Sequence, residues 1–284
     1  MAQQHKSTIG RSEQSDEITN SQWIIAKTSE MIHMAVLIHN KIRNVAQDLH
    51  TSNEDDSKTN LKNKISILYG DFLWARAWRE LSDLTDLYVI EMIVTVLLNT
   101  SMGLFMSEVE MIDVETKVNL DYWLEKNFML SACLPAFACK STIKLSTLNE
   151  QMQNYGYEFG KNFGYVIKAY NEIQWFNNES VDTNELVDFC SLPVIMHSIE
   201  TGKTLTHLCP DKSELQQLKP GDKKPTYDFH QLHTIVRNGP GLVKSKAFLD
   251  NFRAAACQNL FHFSNSDSKE QLEKVISAMN VKLV

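Results

Sequence analysis

The sequence predicts an all-α fold, and three observations carry that expectation. Apolar residues recur at mixed three- and four-residue spacings through most of the chain, as they do on packed helices. No run alternates with the period of two that a half-buried strand requires. Ten glycines and six prolines in 284 residues are too few for a strand-and-turn architecture. A chain of this length can bury a sizeable core. The expected organisation is a polar arm over residues 1–22, disordered or processed, followed by one helical domain over residues 23–284.

The helices are expected in the following order. From Trp23 to Ala46, Ile24, Met31, Val36, Leu37 and Ile38 give the first packed pattern. Residues 47–60 are polar and acidic and are expected to form a loop. Two long helical patterns follow, Leu61–Leu81 and Thr85–Met106. Another runs from about Thr116 to Lys140, interrupted late by Pro135, which has no N–H to donate. Leu148 to Phe176 is a long uninterrupted pattern, and Asn184–Glu200 is the next. Residues 209–226 hold Pro210, Pro220, Gly221 and Pro225 and are expected as a loop, with a short helical pattern at Lys212–Leu218. Patterns resume at Tyr227–Arg237, Leu242–Phe263 and Lys269–Met279, and Asn238-Gly-Pro-Gly241 is a turn signal between the first two of these. This makes about nine helices, with no internal repeat.

Composition removes several classes of function. A net charge of −7 argues against a nucleic-acid binder, which presents a basic face. Five cysteines, odd in number and without a C-x-x-C pair, point to buried thiols in a reducing compartment rather than a disulfide frame or a zinc site. The first 22 residues carry no apolar stretch of the secretory kind, and one Arg against three acids gives no support for a mitochondrial presequence. The best membrane candidate, Tyr88–Leu98, falls short of the roughly 20 residues a span needs and contains Glu91, so no transmembrane segment is expected.

The most informative run is Glu30-Met-Ile-His-Met-Ala-Val-Leu-Ile-His-Asn-Lys-Ile-Arg-Asn44. It resembles the first aspartate-rich helix of the trans-polyprenyl diphosphate synthases, in which E-x-I-H-x-A-S-L-x-H leads into D-D-x-x-D. Glu30, Ile32, His33, Ala35, Leu37 and His39 are kept, while Asn40, Lys41 and Asn44 stand where that family has aspartates. A second run, Phe159-Gly-Lys-Asn-Phe-Gly-Tyr-Val-Ile-Lys-Ala-Tyr-Asn-Glu-Ile-Gln-Trp-Phe176, resembles the family's second motif, with Asn171, Glu172 and Trp175 on the aspartate positions and Lys168 on a glutamine. Asn63-Lys64-Ile-Ser-Ile-Leu-Tyr-Gly-Asp-Phe-Leu-Trp-Ala-Arg-Ala77 follows the family's N-K-x-A-x-L-x-G-D-F-L-L-x-x-A and retains Lys64, Gly70 and Asp71. Further support comes from Leu192-Pro-Val-Ile-Met-His197 and from the run Ala247–Leu260.

The resemblance implies an isoprenoid-synthase-like helical bundle without a counterpart of the family's N-terminal helices and their G-G-K-R site. It also shows what is missing. Six aspartates would carry −6, whereas here the first motif offers 0, +1 and 0 and the second 0, −1 and 0. A lysine about 4 Å from a cation costs roughly 4 kcal/mol per unit of cation charge at an effective dielectric of 20. No R-R-G follows the first motif, and Leu130-Ser131 replaces the Lys-Thr pair of a later helix. The pattern resembles the subunit 2 group of decaprenyl diphosphate synthases. That resemblance implies a non-catalytic subunit, without catalytic or metal residues of its own, that pairs with a catalytic polyprenyl diphosphate synthase subunit 1 in a heterotetramer. Mg²⁺ is then expected only in that partner, and ubiquinone side-chain synthesis and a mitochondrial location follow from the same resemblance. Two alternatives stay open: a divergent, weakly active prenyltransferase using Glu172 and loop acids, and an isoprenoid-binding scaffold without a synthase partner.

Simpler roles compete for individual residues. His33 and His39 are expected to be packed or capping, and His230 and His233 to lie on the surface. Asp55 and Asp56 are expected in a solvated loop, and Asp71 in structural hydrogen bonding. Gly156, Gly160 and Gly164 are expected to let two helices approach closely.

Overall fold

The computed structural model describes residues 18–39, 53–110, 119–179, 189–208 and 229–283. All regular structure among these residues is helical. The segments are α1 (Asn20–His39), α2 (Asn53–Leu81), α3 (Leu87–Glu110), α4 (Leu120–Asn127), a π turn (Phe128–Ala132), α5 (Cys133–Lys144), α6 (Glu150–Asn177), α7 (Leu192–Thr201), a 3₁₀ turn (Thr206–Leu208), α8 (Phe229–Arg237), α9 (Gly241–Leu260) and α10 (Asp267–Ala278). Counting 120–144 as one bent helix gives the expected nine among the described residues.

Several boundaries differ from the expectation, each for a local reason. Helix α1 starts at Asn20, so the arm does not extend to residue 22; residues 1–17 lie outside the described residues. Residues 53–60 are helical rather than loop. They contain neither Gly nor Pro, and extending an existing helix costs far less than nucleating one. Asp55 and Asp56 therefore belong to the start of α2, not to a loop. Of the expected helix Asn184–Glu200, residues 184–188 lie outside the described residues; among those described the helix begins at Leu192, where Pro193 takes a first-turn position that needs no N–H. The expected loop and short helix within 209–226 lie outside the described residues.

Pro135 acts earlier than the sequence suggested. It cannot donate to the carbonyl four residues back, and the turn just before it is a π turn in which the Cys133 N–H bonds to the Phe128 carbonyl. Phe128 from this turn packs against both main cores. One core joins α1, α2, α3 and α5 through Ile25, Ile32, Leu81, Ile93 and Cys133. The other joins α4, α6, α7, α8 and α9 around Trp123, Ile173, Leu192, Leu232 and Leu249.

Helix α6 supplies Tyr165, Val166, Ala169, Ile173 and Phe176 to the second of these cores, and its N-terminus is fixed by Asn149, whose side chain accepts from the N–H groups of Gln151 and Met152. The glycine ladder acts as expected. A methyl on Gly160 would overlap the Pro135 carbonyl, and one on Gly164 would overlap the Ala132 backbone, so α6 lies directly on α5 and the π turn. The thiols of Cys133, Cys139, Cys190 and Cys257 form no disulfide. Burial pushes Cys133 up to about 11 and Cys139 to about 12, which keeps both protonated and unreactive.

One expectation about α3 needs correction. The apolar stretch is longer than Tyr88–Leu98: Leu87–Met106 is long and apolar enough to cross a bilayer by length and composition, with 33% of it buried inside the chain. Ile93 and Val96 are core residues. Leu87, Leu98, Met102 and Phe105 are exposed and follow one another at helical spacing, so this helix is apolar on two sides.

Candidate functional site

The first degenerate motif begins where α1 ends. Asn40, Lys41 and Asn44 lie outside the described residues, but their neighbours do not. His39 is the last residue of α1, and its ring lies against Gly70 of α2, where a methyl would collide with the imidazole. Its Nε2 is 3.6 Å from Asp71 Oδ1. Gly70 and Asp71 thus act together: the one admits the ring and the other faces it. His33 is exposed, contrary to the packed or capping role expected, because it lies on the side of α1 away from Ile25, Ile32 and Ala35. Glu30 and Lys64 are also exposed.

The second motif occupies the last two turns of α6 and is fully described. Asn171 faces solvent. Glu172 is turned inward, its side chain only 9% exposed, and its carboxylate is already engaged. Oε2 accepts from the indole Nε1–H of Trp123 at 3.0 Å and from the backbone N–H of Leu192 at 2.8 Å. Oε1 faces Lys168 Nζ at 3.1 Å, one turn back on α6, a contact close enough for an ion pair but without the alignment of a hydrogen bond. Leu192 is the first residue of α7, whose preceding Ser191 makes no side-chain cap. Glu172 supplies that cap from a different helix, with its negative charge at the positive end of the α7 dipole.

Trp123 is fully buried and continues the arrangement. Its ring stacks on Tyr165 at 5.9 Å and Phe252 at 6.2 Å, and the Tyr165 hydroxyl donates to the Leu124 carbonyl. Burial pushes the Tyr165 phenol far above its ordinary value. Glu172 therefore ties α4, α6 and α7 together through one carboxylate. Neither Trp123 nor the Leu192 amide could be picked out from the sequence, although the i, i+4 spacing of Lys168 and Glu172 was readable there.

Trp175, on the third aspartate position, is partly buried with its indole edge against Phe176 and His233, ring centres 4.8 and 5.1 Å away. His233 is buried, not on the surface as expected, because α8 lays it over the end of α6, where it stacks on Phe176. His230, on the same helix, is exposed as expected. His197 of α7 is buried against Gly239, where a methyl would strike the ring.

Burial pulls both His197 and His233 below the ordinary value of 6.5, and for His233 the nearby Arg237 adds to the effect. Neutral rings in the fold mean that the unfolded chain takes up protons first as the pH falls through 6.5, so these groups' contribution to stability is lost on acidification. The urea midpoint is expected to fall between pH 7.5 and pH 5.5, above the range where most carboxylates titrate. His233→Gln should weaken that dependence, whereas an unchanged slope in this variant would place the effect elsewhere.

The Mg²⁺ cluster that family resemblance implies does not fit this wall. Hard divalent cations need several carboxylate oxygens. The wall offers an amide, an indole and one carboxylate that already holds two N–H donors and a lysine. Among the described residues no three His, Cys, Asp or Glu side chains converge as a metal site would require.

Comparison with known proteins places this geometry in context. The sequence profile of the polyprenyl synthetase family matches residues 4–170. The chain is 24% identical over 264 residues to the human all trans-polyprenyl-diphosphate synthase PDSS2, covering 92% of this chain and 64% of that protein's length. It is 28% identical over 249 residues to a prenyl transferase of Porphyra purpurea, covering 85% of this chain and 72% of the relative. Among solved structures, the heptaprenyl diphosphate synthase of Staphylococcus aureus superposes with a TM-score of 0.74 at 15% identity, covering 95% of this chain and 83% of the other. A decaprenyl diphosphate synthase from Rhodobacter capsulatus superposes with a TM-score of 0.65 at 17% identity, covering 90% and 76%. These structural likenesses confirm the helical isoprenoid-synthase fold.

Proposed function

The chain belongs to the polyprenyl synthetase family, and on that premise we propose that it is a non-catalytic, stabilising or regulatory subunit of a heteromeric all-trans polyprenyl diphosphate synthase. The observation that carries this reading is the engagement of Glu172. Ionising an allylic diphosphate requires cations that neutralise the leaving group, and those cations require free carboxylates. Here the one carboxylate on the second wall is committed to holding three helices together, which also weighs against the weakly active prenyltransferase reading.

The partner is a catalytic polyprenyl diphosphate synthase subunit, with a heterotetramer as the assembly. Support comes from apolar side chains left open on two helices: Leu61, Ile65, Leu68, Tyr69 and Phe72 on α2, and Leu87, Leu98, Met102 and Phe105 on α3. Exposed apolar side chains grouped along a helix mark an interaction face, and obligate interfaces bury roughly 2,000 Å² or more. The resemblance to PDSS2 and to mitochondrial prenyl synthases supports a mitochondrial role in making the ubiquinone side chain.

The test is incorporation of radiolabelled isopentenyl diphosphate with farnesyl diphosphate as primer, using the chain alone, the catalytic subunit alone and the co-expressed pair. The pair is expected to outperform the catalytic subunit, with no product from this chain alone. Metal-dependent turnover by the chain alone at roughly 1 s⁻¹ or more would overturn the proposal.

A further inference from the structure

Helix α8 is only nine residues long, Phe-His-Gln-Leu-His-Thr-Ile-Val-Arg. Leu232 and Val236, one turn apart, are closed off from solvent in the core around Trp123. The other ties are aromatic or polar. His233 lies flat on Phe176 and edge-on to Trp175, and the Arg237 guanidinium donates to the Asn178 carbonyl just past the end of α6. A helix this short is marginal in water without its packing partners. It joins α9 through Asn238-Gly-Pro-Gly241, where a glycine on each side of the proline lets the backbone change direction.

Three polar atoms at this junction are buried without a hydrogen-bond partner: His233 Nε2, Trp175 Nε1 and His197 Nδ1. His233 is 4% exposed and His197 7%, so each imidazole is more than nine-tenths buried. The turn after α8 covers His197. Gly239 lies on its ring, and Gly241 lies against its Cβ and the Pro193 carbonyl, where a methyl on either glycine would collide. Buried polar groups are ordinarily hydrogen-bonded. Lifting α8 and its turn brings water to the two imidazoles, whereas the closed position keeps Leu232 and Val236 dry. Opposing demands therefore meet on one short helix.

The surrounding charges give a protonated ring little to hold it in place. His233 has Arg237 one turn ahead and His230 one turn behind on α8; burial and Arg237 outweigh the carbonyls of Trp175 and Asn178, which favour the charged form. Glu179 is 88% exposed and faces Arg237 at 3.9 Å. On α6, Glu172 is engaged by Trp123, Leu192 and Lys168. One turn from His197 on α7, Glu200 is bound by Lys244 of α9 at 3.0 Å, and Lys203 follows it.

We propose that α8 and the turn behind it form a cover over the end of α6 and over His197, which opens as a unit while α6, α7 and α9 stay folded, and that mild acid favours the open form through His233, with His197 adding to the effect. This does not depend on the function proposed above.

Hydrogen exchange of the full-length chain, read by mass spectrometry at pH 7.5 and pH 5.5 and corrected for the intrinsic rate at each, tests the cover. In the open form the rings titrate at their ordinary 6.5 and in the closed form lower, so closure is favoured above that pH and weakens as the pH falls through it. Each freed ring raises the open fraction by up to about tenfold between the two pH values. Peptides covering 229–237 are expected to exchange faster than those of α6 and α9 at pH 7.5. They should gain about ten- to a hundredfold at pH 5.5, with a smaller gain in α6 and α9. His233→Phe keeps a ring against Phe176 without a titrating nitrogen, and His233→Gln removes both ring and titration. Either variant is expected to lose about tenfold of the acid response, and adding His197→Gln removes the remainder. Exchange of α8 in step with α6 and α9 at both pH values overturns the proposal, as does an acid response undiminished in both His233 variants.

Discussion

Replacing Glu172 with alanine is expected to lower the unfolding free energy by about 3 kcal/mol, with a fall of roughly 8 °C in the melting temperature for a chain of this size. The effect is large because the carboxylate has no substitute. Its removal leaves the fully buried indole N–H of Trp123 without an acceptor and uncaps α7 at Leu192. Hydrogen bonds to a charged acceptor contribute about 1.5–3 kcal/mol each, and an orphaned buried donor costs a similar amount. Lys168 is 28% exposed and can turn to water, so it adds little. Glutamine should recover most of the loss, since its amide oxygen can accept from both donors while only the charge is gone. Thermal unfolding followed by near-ultraviolet circular dichroism reads both variants through the buried Trp123. A melting temperature for Glu172→Ala within about a degree of wild type would mean that the three helices are held by apolar packing alone.

Restoring the first motif with Asn40→Asp, Lys41→Asp and Asn44→Asp together is expected to create no prenyltransferase activity. Three carboxylates in one short stretch of sequence supply at most half of the six that the family's two motifs carry, and the second motif still presents Asn171, the engaged Glu172 and the indole of Trp175. The triple variant should instead be somewhat less stable, because three like charges within five residues repel when no cation offsets them. Product formation by the purified triple variant in the isopentenyl diphosphate assay would show that one wall suffices and that the committed state of Glu172 does not matter.

Much of the fold was legible because it is written in local patterns. The bounds of α6 follow from the Asn149 cap and a long apolar periodicity, and the glycine ladder marked the side on which α5 lies. The turn between α8 and α9 was visible in Asn238-Gly-Pro-Gly241. What escaped depends on partners distant in the chain. A polar segment such as 53–60 reads as a loop when only side-chain polarity is weighed, yet a helix needs no apolar residues to continue from a packed one. His233 gives no local sign of burial; the end of α6 covers it from more than fifty residues away. The loss of aspartates at the second motif was plain from the sequence. The new task of Glu172 was not, since it depends on Trp123 and Leu192 arriving from two other helices.

That reassignment has a consequence for ancestry. A carboxylate that has become a fastener is no longer neutral with respect to reversion. Freeing it for cation binding, one substitution at a time, would first pass through a chain that has lost its α7 cap and the acceptor for Trp123, before any catalytic gain could compensate. The surrounding positions have become contingent on one another, so a free carboxylate at this position is obstructed by fold stability as well as by the number of residues to be replaced.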